Sequence, residues 1–212
     1  MASVARTVRS YIDTHPVVRD ALALGIVNLS ALTRRIQEAT GVEKEDAILV
    51  ACRRYRPREQ EAGYEAAIRK VLDRSKLEVR TRVAVLRVRS SWRLMARLDK
   101  AMAAMKGLDP VHVLHGSEAI TIILDENLVA QVQEILGDDE VIEQRAGLVE
   151  LNVRSPSLVE EVPGILSFLV SSLSERGINM LDVVSCHKDN MFLLEKRDLH
   201  EAMEILDTVI QG

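Results

Sequence analysis

Residues 155–198 read SPSLVEEVPGILSFLVSSLSERGINMLDVVSCHKDNMFLLEKRD. Pro163-Gly164 opens a helix whose apolar residues, Ile165, Leu166, Leu169, Val170 and Leu173, recur at the spacing of a face packed on a sheet. Gly177 stops it, since glycine just past the last periodic residue accepts the left-handed turn that closes a helix. Ile178-Asn179-Met180 then leads into a β-branched run through Val183 and Val184. A polar turn, His187-Lys188-Asp189-Asn190, separates that run from Met191–Glu195, which predicts a hairpin.

Upstream, Leu148, Glu150 and Asn152 alternate with Val149, Leu151 and Val153, a strand with unlike faces. Downstream, Asp198 and Glu201 form a capping box before a second apolar stripe, Leu199, Ala202, Met203, Leu206, Val209 and Ile210. The order is strand, helix, strand, strand, helix. It belongs to a ferredoxin-like unit with its helices on one face of an antiparallel sheet.

With Val162-Pro163-Gly164-Ile165 before the helix and Gly177-Ile178-Asn179-Met180 after it, residues 147–210 resemble an ACT domain, the small-ligand regulatory module of amino-acid metabolism. The resemblance implies a ligand site at Val162, Pro163, Gly164 and Ile165 together with Asn179, Met180 and Leu181. Backbone N–H groups at a helix start are unpaired and suit a carboxylate, which glycine lets approach closely. The Asn179 amide both donates and accepts, as an amino acid requires. Read without the resemblance, Pro163-Gly164 is equally a helix-start turn and Asn179 a strand-end turn residue. The chain departs from the family pattern at Gln211-Gly212, where no room is left for a fourth strand, so another segment or chain must cover that sheet edge.

The same order recurs upstream. Val79–Val88 alternates as a strand, and Ser91 caps a helix bearing Leu94, Leu98, Met102 and Met105 that stops at Gly107. Val111–His115 and Ala119–Leu124 form a hairpin around Gly116-Ser117. Leu128, Val132, Ile135 and Leu136 mark a helix ending at Gly137, and Val141–Arg145 supplies a last strand. This copy resembles a divergent ACT-like domain. Its first loop, Arg89-Ser90-Ser91-Trp92, lacks glycine, and Leu108-Asp109-Pro110 stands in place of Gly-Ile-Asn, so it is expected to pack beside the other copy without a ligand of its own.

The first 57 residues read as short helices: 3–14, stopped at His15-Pro16; 17–24, ending at Gly25; one capped by Ser30 and ending at Gly41; and Glu43–Tyr55 before Pro57. The last two resemble a helix-turn-helix or winged-helix bundle. Its DNA reading would put Arg53, Arg54, Arg56 and Arg58 on phosphates. Against it, arginines in a last turn also complement the helix dipole, and Glu43, Glu45 and Asp46 would repel phosphate. Packing or dimerisation is the alternative. Arg58–Lys76 reads as a connecting helix without flexible-linker composition.

The expected architecture is therefore α+β: a helical domain over 1–57, a connecting helix over 58–76, and two tandem ferredoxin-like domains over 77–146 and 147–212.

Composition narrows the function. Aromatics make up only 3% of the 212 residues, too few for base-stacking platforms. Cys52 and Cys186 lie far apart and in no metal spacing, which suits reduced thiols and a cytoplasmic location. No segment approaches the 18 apolar residues of a membrane span. Residues 1–60 carry ten Lys/Arg against seven Asp/Glu and residues 81–212 thirteen against twenty-one, so a mildly basic front precedes an acidic rear. No phosphate loop, dinucleotide fingerprint or metalloprotease motif occurs. His112 and His115, three apart on a strand, point to opposite faces, and so do Cys186 and His187. No catalytic constellation, cofactor or metal is expected. The expected function is a non-catalytic, allosteric regulatory protein that binds an amino acid and pairs as a homodimer or through its tandem copies, with a transcriptional output; the alternatives are a regulatory partner of a separate enzyme and a scaffold without ligand.

Overall fold

The computed structural model describes residues 3–56, 64–104, 110–137 and 141–211. The chain divides into two units, residues 1–63 and 64–212.

In the first unit, α1 (Val4–Asp13), α2 (Pro16–Ala23), α3 (Leu29–Thr40) and α4 (Glu45–Arg54) follow in short order. Val8, Ile12, Leu32, Ile36, Ile48 and Cys52 form the core. Tyr55 closes it, donating its hydroxyl to Asp13 Oδ1 at 2.6 Å. The cap of α3 is Asn28 and not Ser30: its Oδ1 accepts from the Ser30 and Ala31 N–H groups, both at 3.1 Å. Asparagine is as strong a cap as serine, and the cap lies two residues earlier than expected. The apolar run on α2 buries no residue, and Val17, Leu24 and Ile26 are exposed.

The second unit begins with α5 (Tyr64–Leu72), whose Val71 and Leu72 are core residues of that unit. The described part of the expected connecting helix thus packs into the sheet domain. Residues 58–63 lie outside the described residues. After α5 come β1 (Lys76–Arg89), α6 (Trp92–Ala104), β2 (His112–His115), β3 (Ala119–Asp125), α7 (Val129–Leu136), β4 (Val141–Arg154), α8 (Ile165–Ser174), β5 (Met180–Cys186), β6 (Asp189–Glu195) and α9 (Leu199–Gln211). All six strands form one antiparallel sheet in the order β2-β3-β1-β4-β6-β5.

The expected strands Val141–Arg145 and Leu148–Val153 are one strand, β4, and the expected boundary at 146/147 falls inside it. Long β4 pairs with equally long β1 along both, and each strand serves two half-sheets. One half-sheet has β2, β3 and the second half of β1. The other has β5, β6 and the second half of β4. The edge left open by the missing last strand is covered from within the chain, by Lys76–Thr81 of β1 pairing with Val149–Arg154.

The halves repeat each other residue for residue. Val83 pairs with Asp125 as Leu148 pairs with Glu195, so Val83–Arg89 corresponds to Leu148–Arg154. Just before each lies a backbone kink with positive φ, Arg82 at 61° and Gly147 at 73°, where the β1–β4 register shifts. An extra residue at each kink turns the alternation over, so apolar residues face the core on both sides of it. Ala84, Leu86 and Val88 pack under α6 and α7. Val149, Leu151 and Val153 pack under α8 and α9. The opposite faces of the two half-sheets meet in a seam of Val83, Val85 and Ile123 with Leu148 and Leu193.

Candidate ligand-binding site

Gly164 caps α8 in the left-handed conformation, φ 94°, and no side chain caps the helix. The first-turn N–H groups are therefore open to an anion, with the helix dipole behind them. Ile68 of α5 lies against this turn: a Cβ on Gly164 would stand 3.3 Å from Ile68 Cδ1. Pro163 and Gly164 are exposed, Val162 is half-buried, and Ile165 turns into the core.

The second predicted stretch does not join them. The α8 start follows Arg154 at the end of the half-sheet where Glu160 meets His187 Nδ1 at 3.0 Å. Met180 pairs with Leu194 at the other end, beside Val149. The two ends are six strand residues apart, 148 to 154, or roughly 20 Å. Asn179 is exposed there, Met180 packs toward the α8–α9 core, and Leu181 packs toward the seam. Within one chain, Val162–Ile165 and Asn179–Leu181 are separate.

What the sequence reading missed is a cleft of 660 Å³ at one end of the seam, lined from both halves by β1, β2, β4, β5 and β6. Its wall is a buried carboxylate. Glu150, whose side chain is 5% exposed, takes Arg80 Nη1 at 3.3 Å and lies 3.2 Å from His112 Nε2. Arg80 also donates to the Pro110 carbonyl at 2.9 Å, tying β1 to the start of β2. Burial alone would raise the Glu150 carboxyl; the close approach of His112 and the guanidinium of Arg80 outweigh it and hold the group below the usual carboxylate range. Beside it, Asn152 Nδ2 donates to Asp189 at 2.9 Å and to Glu78 at 3.5 Å. Its Oδ1 is buried and accepts no hydrogen bond. His115 turns the other way, toward Ser90 Oγ at 2.9 Å. The volume is that of a small-molecule site.

Arg53 and Arg56 line one groove with Cys52 and Tyr55, while Arg54 lines another with Arg9. Arg56 spends its guanidinium on the Arg53 and Tyr55 carbonyls. Arg58 lies outside the described residues, as do Leu108 and Asp109 and the side chain of Trp92. The expected cap of α6 is present, Ser91 Oγ accepting from the Leu94 N–H at 3.2 Å.

The split unit with Gly164 at its helix start is matched by one family, the ACT domain, over residues 144–208. No curated protein matches the chain. The fold likeness extends over more of the chain than the ACT domain itself. The aspartate kinase of Clostridium acetobutylicum, described as an important allosteric enzyme, superposes with a TM-score of 0.54 at 12% identity over 63% of this chain. The chain spans only 34% of that enzyme's length. A putative C-terminal regulatory domain of aspartate kinase from Porphyromonas gingivalis w83 gives 0.51 at 14% identity, covering 65% of this chain and 98% of that one. The regulatory subunit of aspartate kinase from Thermus flavus gives 0.52 at 10% identity, covering 63% and 95%. At these identities the likeness concerns the fold. Among the described residues no helix is long and apolar enough to cross a membrane.

Proposed function

We propose that the protein is a non-catalytic, ligand-responsive regulator, and that its ACT domain binds an amino acid between Val162–Ile165 of one copy and Asn179–Leu181 of a second. The observation that carries this reading is the uncapped start of α8 at Gly164, inside a segment that matches the ACT family. The ligand carboxylate would take the open N–H groups, and the Asn179 amide its ammonium group. The separation of the two stretches supports a homodimer. A twofold pair can set the α8 start of each copy against the β5 start of the other, making two equal sites. Edge strand β5 has neighbours on one side only among the described residues. Ile68 of α5 supports the regulatory side of the reading, because its side chain lies against the Gly164 turn at which the ligand would sit. Such a ligand shifts an equilibrium by as much as its affinity differs between the two states.

The test is a thermal-shift screen of the whole chain against the twenty amino acids, followed by complementation. A stereospecific hit should raise the melting temperature by mass action. Gly164→Val and Asn179→Ala chains should each lose it, and their mixture should regain binding at one site per heterodimer. Unchanged affinity in Asn179→Ala would remove this site.

For the output, a protein partner such as a separate enzyme of amino-acid metabolism is favoured over DNA by the division of Arg53, Arg54 and Arg56 between two grooves and by Glu45 and Asp46 at the start of α4. DNA binding that weakens steeply with salt would reverse this choice.

A further inference from the structure

The seam has two ends, and the same register positions close one and leave the other open. At the closed end Arg87 of β1 spans the halves, reaching Glu143 of β4 at 2.5 Å and Asp182 of β5 at 2.7 Å. At the open end the position of Arg87 is taken by Asn152 and that of Glu143 by Glu78, since Arg87 pairs with Glu143 as Asn152 pairs with Glu78. Asp182, opposite Leu193, corresponds to His112, opposite Ile123. An asparagine is too short to span the halves and carries no charge. His112 turns instead to Glu150. The acidic position Glu78 is kept, and Asp189 is added where the other half has Ala119.

We infer that the 660 Å³ cleft is a second binding site, separate from the α8 start, for a small organic cation whose guanidinium or ammonium group takes the place that Arg87 fills at the closed end. Asn152 fixes the geometry. Its Nδ2 donates to Asp189 at 2.9 Å and to Glu78 at 3.5 Å and so holds the two carboxylates side by side at the cleft. A ligand cation can serve Glu78 and Asp189 together, while the apolar body lies on Val113, Leu114, Val184 and Met191. Arg154 touches Glu78 at 3.5 Å and Asp189 at 4.0 Å, but its side chain is 59% exposed, so it is a weak competitor that solvent can take back. Among the described residues no three His, Cys, Asp or Glu side chains converge as a metal ion needs, which makes the cation an organic one.

The test is calorimetry on the full chain with n-butylguanidinium, n-butylammonium and neutral butyramide. One or both cations should bind and butyramide should not; the stronger cation identifies the head group. Glu78→Gln should weaken the cation about tenfold, the loss of one hydrogen bond to a charged group. Arg154→Gln should tighten it by removing the competitor. Asn152→Arg should abolish binding by building the missing bridge, and should raise the melting temperature as a bound ligand would. The inference is overturned if neither cation binds at millimolar concentration, if butyramide binds as well, or if Asn152→Arg binds the cation unchanged. Should Asn152→Arg fail to fold, unchanged affinity in Glu78→Gln, a rim substitution, overturns it equally. The amino acid of the α8 site is read separately, in Asn179→Ala, so either site can fail without the other.

Discussion

Val83–Arg89 and Leu148–Arg154 are the same strand segment used twice, with the same sequence of buried and half-buried positions. They differ in what they put into the seam. The first half contributes Val83, Val85 and then Arg87, an apolar pair followed by a cation that ties both halves together. The second contributes Leu148, Glu150 and Asn152, so a carboxylate stands where Val85 is buried and an amide where Arg87 reaches across. A buried charge must be paired to be tolerated, which is why Arg80 and His112 converge on Glu150. The repeat supplies the frame, and the departures from it make one end of the seam a bridge and the other a cleft.

The largest expected effect tests whether the seam is one core. Leu148 and Val83 are a register pair at its centre, both fully buried. Leu148→Ala should cost about 3 kcal/mol and Val83→Ala about 2 kcal/mol, from lost burial plus the cavity left behind. Urea unfolding should remain a single transition for the second unit in each. A mutant in which one half melts separately would break the picture of halves sharing their core.

Next in size is the contrast between the two ion networks. Arg80→Ala leaves Glu150 buried with His112 alone, and should cost about 3 kcal/mol. Arg87→Ala leaves Glu143 to Arg145 and exposes Asp182 further, in a part of the seam that solvent already reaches, and should cost about 1 kcal/mol. Both networks sharpen acid denaturation. Glu143 is held below the usual carboxylate range by its hydrogen bonds to Arg87 and Arg145, and Glu150 is held low despite burial. A carboxyl with a depressed folded pKa adds stability that is present above its ordinary value, about 4.3, and is lost as pH falls through the folded one. Stability measured from pH 7 downward should therefore drop below that value in the parent protein, and Glu150→Gln should flatten the drop. An acid limb that is the same with and without Glu150 would mean that the carboxylate is not the one holding the cleft wall.

These contrasts also mark what was legible beforehand. The strand-helix-hairpin-helix order and the ACT resemblance were readable because residues 148–210 keep clean periods and because Gly164 and Gly177 punctuate them. Even the polar face of Leu148–Val153 was readable as a face. That Glu150 is buried was not, since what buries it is β2 of the other half, some forty residues earlier in sequence. The continuity of β4 was hidden for a related reason: the kink at Gly147 reverses the alternation, and a reversed alternation looks like the end of one strand and the start of another. Pairing of Lys76–Thr81 with the far half was likewise out of reach, because local pattern says that a strand exists and not which edge it covers. The two ligand stretches fell at opposite ends of the half-sheet because a helix of ten residues carries the chain back along its strand before β5 begins.

The smallest expected effect lies at the kinks themselves, where the two halves use different residues for one conformation. Gly147 at φ 73° has open space where a Cβ would be, so Gly147→Ala should cost only the strain of a left-handed alanine, about 1 kcal/mol. Arg82 already bears that strain at φ 61°, partly offset by a hydrogen bond from Nη2 to Asn127 Oδ1 at 2.7 Å. Arg82→Gly would relieve the strain but lose this bond and add freedom to the unfolded chain, terms of similar size and opposite sign. Its stability should stay within about 0.5 kcal/mol of the parent protein. Chemical unfolding of the two variants side by side measures the difference. If Gly147→Ala proves as harmless as Arg82→Gly, the kinks are not conformationally equivalent, and the residue-for-residue match of Val83–Arg89 with Leu148–Arg154 loses its anchor.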